Sequence, residues 1–169
     1  MTLTIPGGAP ASTIPGLSVA GIGEMVSSAD PDHTLVCYGL GSCVALSAWD
    51  PRVRAAALAH FMLPSGSSSG PPVKFVDEGF ERLLDAFRVI GGSPGRAEFK
   101  AAGGASMLAV MASTLDIGRR NIQAVETRLA GAGLRMTASD LGGSAGRTVQ
   151  LAVGTGRLLI KSVSGTKAL

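Results

Sequence analysis

Apolar and polar positions alternate in short blocks along most of the chain, interrupted by two stretches at helical spacing. Leu17, Val19, Gly21, Gly23 and Met25 fall on one strand face and Ser18, Ala20, Ile22 and Glu24 on the other. Neither set is cleanly apolar, so the run predicts one short, irregular strand. His33 to Tyr38 predicts a second strand, ended by Gly39. Cys43 to Trp49 and Ala55 to Leu63 are apolar runs flanking Asp50-Pro51-Arg52-Val53-Arg54. Asp followed by Pro suits the first two positions of a type I turn, and the pair predicts a β-hairpin. Phe80, Leu83, Leu84 and Phe87 recur three and four apart, which predicts a helix from about Lys74 to Ile90, stopped by Gly91-Gly92. Phe99 to Ala102 predicts a strand. A second helix is expected from about Arg119 to Ala130, with Ile122, Val125 and Leu129 on one face. Three short strands follow at 134–139, 147–153 and 157–163, with Gly154-Thr155-Gly156 as the last hairpin turn. The pattern sums to an α/β fold: a mixed, largely antiparallel sheet with packed helices.

Two segments stand outside that pattern. Residues 1–16 hold three Pro and three Gly without periodicity and read as a flexible N-terminal tail, leaving 17–169 as a single domain. Ser65 to Pro72 is a low-complexity stretch expected to be mobile. At 46% hydrophobic and 16% charged residues, the composition opposes disorder elsewhere.

Charge and composition narrow the function class. The formal charge of +3 comes from scattered residues that are not interleaved with aromatics, which excludes a nucleic-acid surface. Two cysteines are too few for a secreted disulfide framework, and the opening residues lack a basic region followed by an apolar block. No run reaches the ~18 apolar residues of a membrane helix. The expectation is a cytoplasmic protein with reduced thiols and no membrane insertion. Gly39-Leu40-Gly41-Ser42-Cys43 lacks the third glycine of a dinucleotide fingerprint, so no organic cofactor is expected.

The hairpin carries the candidate chemistry. With Pro51 and Arg52 as the two central turn residues, Cys43 opposes His60, and directly opposed side chains share a face. A register slip of one would separate them. A thiol beside an imidazole can act as a nucleophile, the imidazole moving the proton. The small residues before Cys43, Gly41 and Ser42 above all, allow close approach of a substrate, and their N–H groups suit an oxyanion hole. Competing readings are an inert, buried core cysteine and a zinc site from His33, Cys37, Cys43 and His60, whose spacing lacks a short Cys knuckle. Asp140, before Gly142-Gly143, reads as a turn residue.

Several ordered motifs carry a resemblance. Gly39-Leu40-Gly41-Ser42-Cys43-Val44-Ala45 and Ala59-His60-Phe61-Met62-Leu63-Pro64 resemble the active-site hairpin of the CheD family of chemoreceptor glutamine deamidases. The likeness continues through Lys100-Ala101-Ala102-Gly103-Gly104-Ala105, Asp116-Ile117-Gly118-Arg119-Arg120-Asn121 and Asp140-Leu141-Gly142-Gly143-Ser144-Ala145-Gly146-Arg147, and ends at Thr155-Gly156-Arg157 and Lys161. The resemblance implies an α/β sandwich similar to toxin deamidase domains. It implies a cysteine amidohydrolase, a protein-glutamine glutaminase, that converts receptor Gln to Glu in chemotaxis adaptation, with no cofactor or metal. It implies methyl-accepting chemoreceptor helices and a CheC-type phosphatase as partners. Cys43 matches the family nucleophile and His60 its base. The family's third residue, a Thr six positions before the nucleophile, is here Cys37. A thiol is a weak acceptor for an imidazole N–H, and Thr34, an odd number of residues away, would face the other side of the strand. A backbone carbonyl or water is then left to orient His60. The alternative that Cys37 raises is a binding module of the same fold that regulates the CheC-type phosphatase or the receptors by occupancy.

Overall fold

The computed structural model describes residues 16–67, 70–106 and 116–169. Residues 1–15 of the tail expected over 1–16, and the middle of the 65–72 loop, residues 68–69, lie outside the described residues. The described elements are, in chain order, β1 (Leu17–Val19), β2 (Met25–Ser28), β3 (Thr34–Leu40), β4 (Val44–Asp50), β5 (Ala55–Phe61), α1 (Val76–Val89), β6 (Glu98–Gly103), α2 (Ile117–Gly131), β7 (Met136–Leu141), β8 (Arg147–Ala152), β9 (Leu158–Ser162) and β10 (Gly165–Ala168).

These strands form two sheets, β1-β3-β8-β9-β10 and β2-β5-β4-β6-β7. Pairing is mixed and largely antiparallel, as expected; β1 with β3 and β6 with β7 are the parallel pairs. Alternation along β5 sets the layers. Ala55, Ala57, Ala59 and Phe61 pack with Phe80, Leu83 and Phe87 of α1 and Val125 and Leu129 of α2. Ala56 and Leu58 pack instead with Leu35, Val149, Leu151 and Ile160 of the other sheet. The sheet holding β4 and β5 is therefore a middle layer, with helices on one face and the second sheet on the other. Burial on both faces explains why these two strands read as unbroken apolar runs rather than as an alternation. Each buried Phe or Leu contributes about 1.5–3 kcal/mol to holding the layers together.

The structure corrects three sequence expectations. The run from Leu17 to Met25 is not one strand: β1 and β2 lie in different sheets, and residues 20–24 turn between them. Gly23 takes a positive φ of 77° there, and the Glu24 carboxylate accepts the Gly21 N–H at 3.0 Å, closing the turn. Asp140 is a strand residue of β7, held by Arg147 at 3.0 Å and Lys167 at 2.8 Å, and not a turn residue. The Gly154–Gly156 turn joins β8 to β9 but is not the last, because β10 folds back antiparallel on β9. Its exposed, polar positions gave no apolar alternation to read.

Candidate active site

The hairpin register differs from the one a two-residue turn would impose. Asp50 pairs with Ala55, so four residues form the loop, with Arg54 at a positive φ of 52°. His60 is opposed by Ala45, not by Cys43. The ladder has slipped by two residues, an even number, and so the faces are preserved. Cys43, two before Ala45, keeps His60 as its diagonal neighbour on the side that faces the second sheet. Diagonal pairs stand roughly 7–8 Å apart at Cα and remain within reach of long side chains. Cys37, from β3 across the interlayer, joins the same buried cluster as Cys43 and Ala45.

Burial separates the two thiols. Cys43 keeps 9% of its surface exposed and Cys37 none, so a substrate can reach only the first. The chain around Cys43 is pinned through its carbonyls. The Gly41 oxygen accepts from the Ala105 N–H at 2.8 Å and the Cys43 oxygen from the Gly104 N–H at 2.8 Å. Gly103 must be glycine, because its φ is 112° and a Cβ would stand 2.2 Å from the Cys43 carbonyl oxygen. The Ser42 oxygen accepts from the side-chain Nδ2 of Asn121 at 2.9 Å, and the same nitrogen donates to the Met62 carbonyl at 2.9 Å.

His60 is 1% exposed and held on three sides by the 20–24 turn. Its N–H donates to the Glu24 carbonyl at 2.9 Å, and its carbonyl accepts the Gly23 N–H at 2.9 Å. Its ring Nδ1 lies 3.3 Å from the Ala20 carbonyl oxygen. A carbonyl only accepts, so Nδ1 carries the proton and Nε2 of the neutral ring is left with its lone pair. Nε2 has no hydrogen-bond partner. Ala20 is itself fixed, its N–H donating to the Val36 carbonyl at 2.8 Å.

The electrostatics keep both groups neutral. Burial pushes the Cys43 thiol upward, only partly offset by its own backbone N–H. Burial pushes His60 downward, against the Ala20 hydrogen bond and the Glu24 carboxylate, which favour the charged ring. Burial and the neighbouring Cys43 push Cys37 far upward, which leaves it an un-ionised core thiol. The arrangement can therefore deliver a neutral thiol to a neutral imidazole base, rather than store a thiolate–imidazolium pair.

Of the residues singled out from sequence, Cys43, Gly41 and Ser42 lie together on one pinned loop, with His60 beside it. Cys37 is near Cys43 but makes no hydrogen bond to His60, whose Nδ1 is taken by Ala20. The zinc set does not assemble: His33 Nε2 sits 2.8 Å from the Ser18 hydroxyl, and among the described residues no three metal-ligating side chains cluster. Sequence reasoning missed Ala20, Glu24 and Asn121. A backbone carbonyl leaves no residue-type signal. Glu24 lay inside what read as a strand. Asn121 closes a motif that carries the family resemblance, but nothing in its spacing gave it a role beyond a polar residue in step with Val125 of the apolar helix face.

A family profile described as CheD chemotactic sensory transduction matches residues 62–162. A probable chemoreceptor glutamine deamidase CheD of Symbiobacterium thermophilum is 46% identical over 153 residues, covering 87% of this chain and 93% of the relative. The chemoreceptor glutamine deamidase CheD of Thermotoga maritima is 39% identical, covering 89% and 95%. Among solved structures, the C-terminal domain of CNFy from Yersinia pseudotuberculosis overlays with a TM-score of 0.42 at 10% identity, covering 90% of this chain and 60% of that one. So distant an overlay bears on neither fold nor activity. The molecule is a layered α/β protein with a thiol and an imidazole on the inner face of a central hairpin. The chain belongs to the CheD family.

Proposed function

We propose that this protein hydrolyses glutamine side chains of methyl-accepting chemoreceptors to glutamate, with Cys43 as nucleophile and His60 as base. One observation carries the reading: His60 donates Nδ1–H to the Ala20 carbonyl, which leaves Nε2 without a partner on a residue that shares its buried face with the solvent-reaching thiol Cys43. Nε2 takes the thiol proton as Sγ bonds to the amide carbon. The carbonyl electrons move onto oxygen, which the backbone N–H of Cys43 would stabilise. On collapse, the carbon–nitrogen bond breaks and the imidazolium gives its proton to the departing ammonia. Water then attacks the thioester while Nε2 takes its proton. The thiolate leaves, is reprotonated, and the product is a glutamate side chain.

Relatives named as chemoreceptor glutamine deamidases supply the substrate class. Exposed apolar side chains sit next to the site residues in the chain: Ile22 in the turn holding His60, Tyr38 beside Cys37, and Met62 two residues after His60. Exposed side chains of this kind suit the apolar positions of a long receptor helix. A CheC-type phosphatase that competes with the receptor is the second partner the reading includes. No helix among the described residues is long and apolar enough to cross a membrane. The test is to incubate the protein with a recombinant chemoreceptor cytoplasmic fragment and map its peptides by mass spectrometry. Conversion of specific Gln residues to Glu, matched by released ammonia, is expected. A fragment unchanged after prolonged incubation, while a CheD protein of proven activity modifies it, would refute the assignment.

A further inference from the structure

Asn121 is fully buried on α2, yet its amide oxygen has no partner. A buried, unsatisfied acceptor costs about 1–3 kcal/mol, which offsets what the two bonds donated by its amide nitrogen contribute. Its amide nitrogen does unusual duty. One N–H goes to the Ser42 carbonyl and the other to the Met62 carbonyl, joining the residue before Cys43 to the chain just past His60. Two carbonyl acceptors fix which way the amide faces, since only the NH₂ end can donate. The helix can come this close because Gly118, one turn earlier on the same buried stripe, lies against the Gly104 and Ala105 carbonyls, where a Cβ would stand 2.5 Å and 2.6 Å from oxygen.

The consequence lies in the peptide joining Ser42 to Cys43. A trans peptide is planar, so holding its carbonyl also fixes the direction of its N–H, which points the opposite way. That N–H belongs to Cys43, the residue that carries the thiol. It is a donor that the attacking residue itself can offer to the oxyanion that attack would create. We propose that Asn121 is a positioning residue for the oxyanion hole: by gripping the Ser42 carbonyl it aims the Cys43 N–H at the developing negative charge. This rests on the reading of Cys43 as nucleophile.

Two measurements on one variant separate this role from general scaffolding. Deamidation builds an oxyanion; alkylation of Cys43 by iodoacetamide needs only the thiolate. In Asn121→Ala, kcat for a receptor cytoplasmic fragment should fall about 100-fold, the scale on which oxyanion donors act. KM and the pH-dependent rate of Cys43 alkylation should stay within about threefold, because less than ~1 kcal/mol is then lost from binding or from the thiol. If Asn121→Ala does not fold, Asn121→Ser, whose hydroxyl can donate to only one of the two carbonyls, carries the same test. A folded variant that keeps kcat within threefold overturns the inference. So does a parallel loss of alkylation and kcat, which would make Asn121 a general support of the site. Wild-type deamidation that survives full alkylation of Cys43 would instead overturn the nucleophile assignment itself, and this proposal with it.

Discussion

The ring Nδ1 of His60 lies 3.3 Å from the carbonyl oxygen of Ala20, and this contact takes the place that a side-chain acceptor from Cys37 would otherwise fill. A main-chain acceptor is indifferent to the side chain at either position. The Cys37→Ala variant should therefore keep its deamidation rate within about threefold of wild type, a change under ~1 kcal/mol in the barrier. Cys37→Thr should give no gain, since the imidazole N–H is already engaged. Steady-state kinetics on a receptor fragment checks both. A rise of tenfold or more in Cys37→Thr would show that the carbonyl leaves His60 poorly held.

The acid limb of kcat/KM should report His60 in the free enzyme. The base must be unprotonated, and burial holds its pKa below the ordinary 6.5. Activity should thus rise with pH through a midpoint below 6.5 and stay flat through neutrality, because Cys43 keeps its proton to above its ordinary 9.0. The same shift contributes stability that is complete above 6.5 and is lost as the pH falls from there through the folded-state pKa. An acid limb centred above 6.5 would contradict the depressed pKa of His60, and an alkaline limb on which activity falls as an imidazolium loses its proton would point to a preformed ion pair instead.

Glu24 tunes that limb. Its carboxylate accepts the Gly21 N–H and favours the charged form of His60. Glu24→Gln keeps an oxygen for Gly21 and removes the charge, so the acid limb should move to lower pH with the turn intact. Glu24→Ala should move the limb and also lower kcat, by loosening the turn that carries the Ala20 carbonyl. Identical profiles for wild type and Glu24→Gln would remove Glu24 from the account.

A control sits at the far end of the hairpin. Asp50, 0% exposed, accepts from the Arg52 N–H at 3.0 Å, the Ser93 N–H at 2.9 Å and the Arg96 guanidinium at 2.6 Å. Burial alone would push its carboxyl upward, but these donors hold it below the usual range. Asp50→Ala should cost about 1–3 kcal/mol, the scale for a buried donor left unpaired, read as a lower denaturant midpoint. Activity per folded molecule should be unchanged.

Most of the scaffold was legible because its signals are local. Phe80 to Phe87 announced α1 through spacing, and the Asp50-Pro51 turn announced the β4–β5 hairpin. The pairing of Cys43 with His60 on one face was legible in parity though not in register, because a four-residue loop and a two-residue loop differ by an even slip. The Ala20 to Glu24 turn was not legible, because Gly21 and Gly23 fit a strand alternation until tertiary contacts are known. Nor was the division into two sheets: residues such as Ala56 and Ala57 look alike in sequence and face different layers. The Ala20 carbonyl, which orients the proposed base, belongs to every residue type equally.

The central claim is that one thiol and one imidazole do the chemistry, and ammonia release from a receptor fragment measures it directly. Wild type, Cys43→Ala and His60→Ala should be compared at equal folded concentration, confirmed by circular dichroism. The account predicts steady ammonia release by wild type, with Gln-to-Glu conversion in the fragment, and none detectable with Cys43→Ala. His60→Ala should fall by at least ~100-fold, the lower range for a general base. Wild-type ammonia release from folded Cys43→Ala would contradict the account outright.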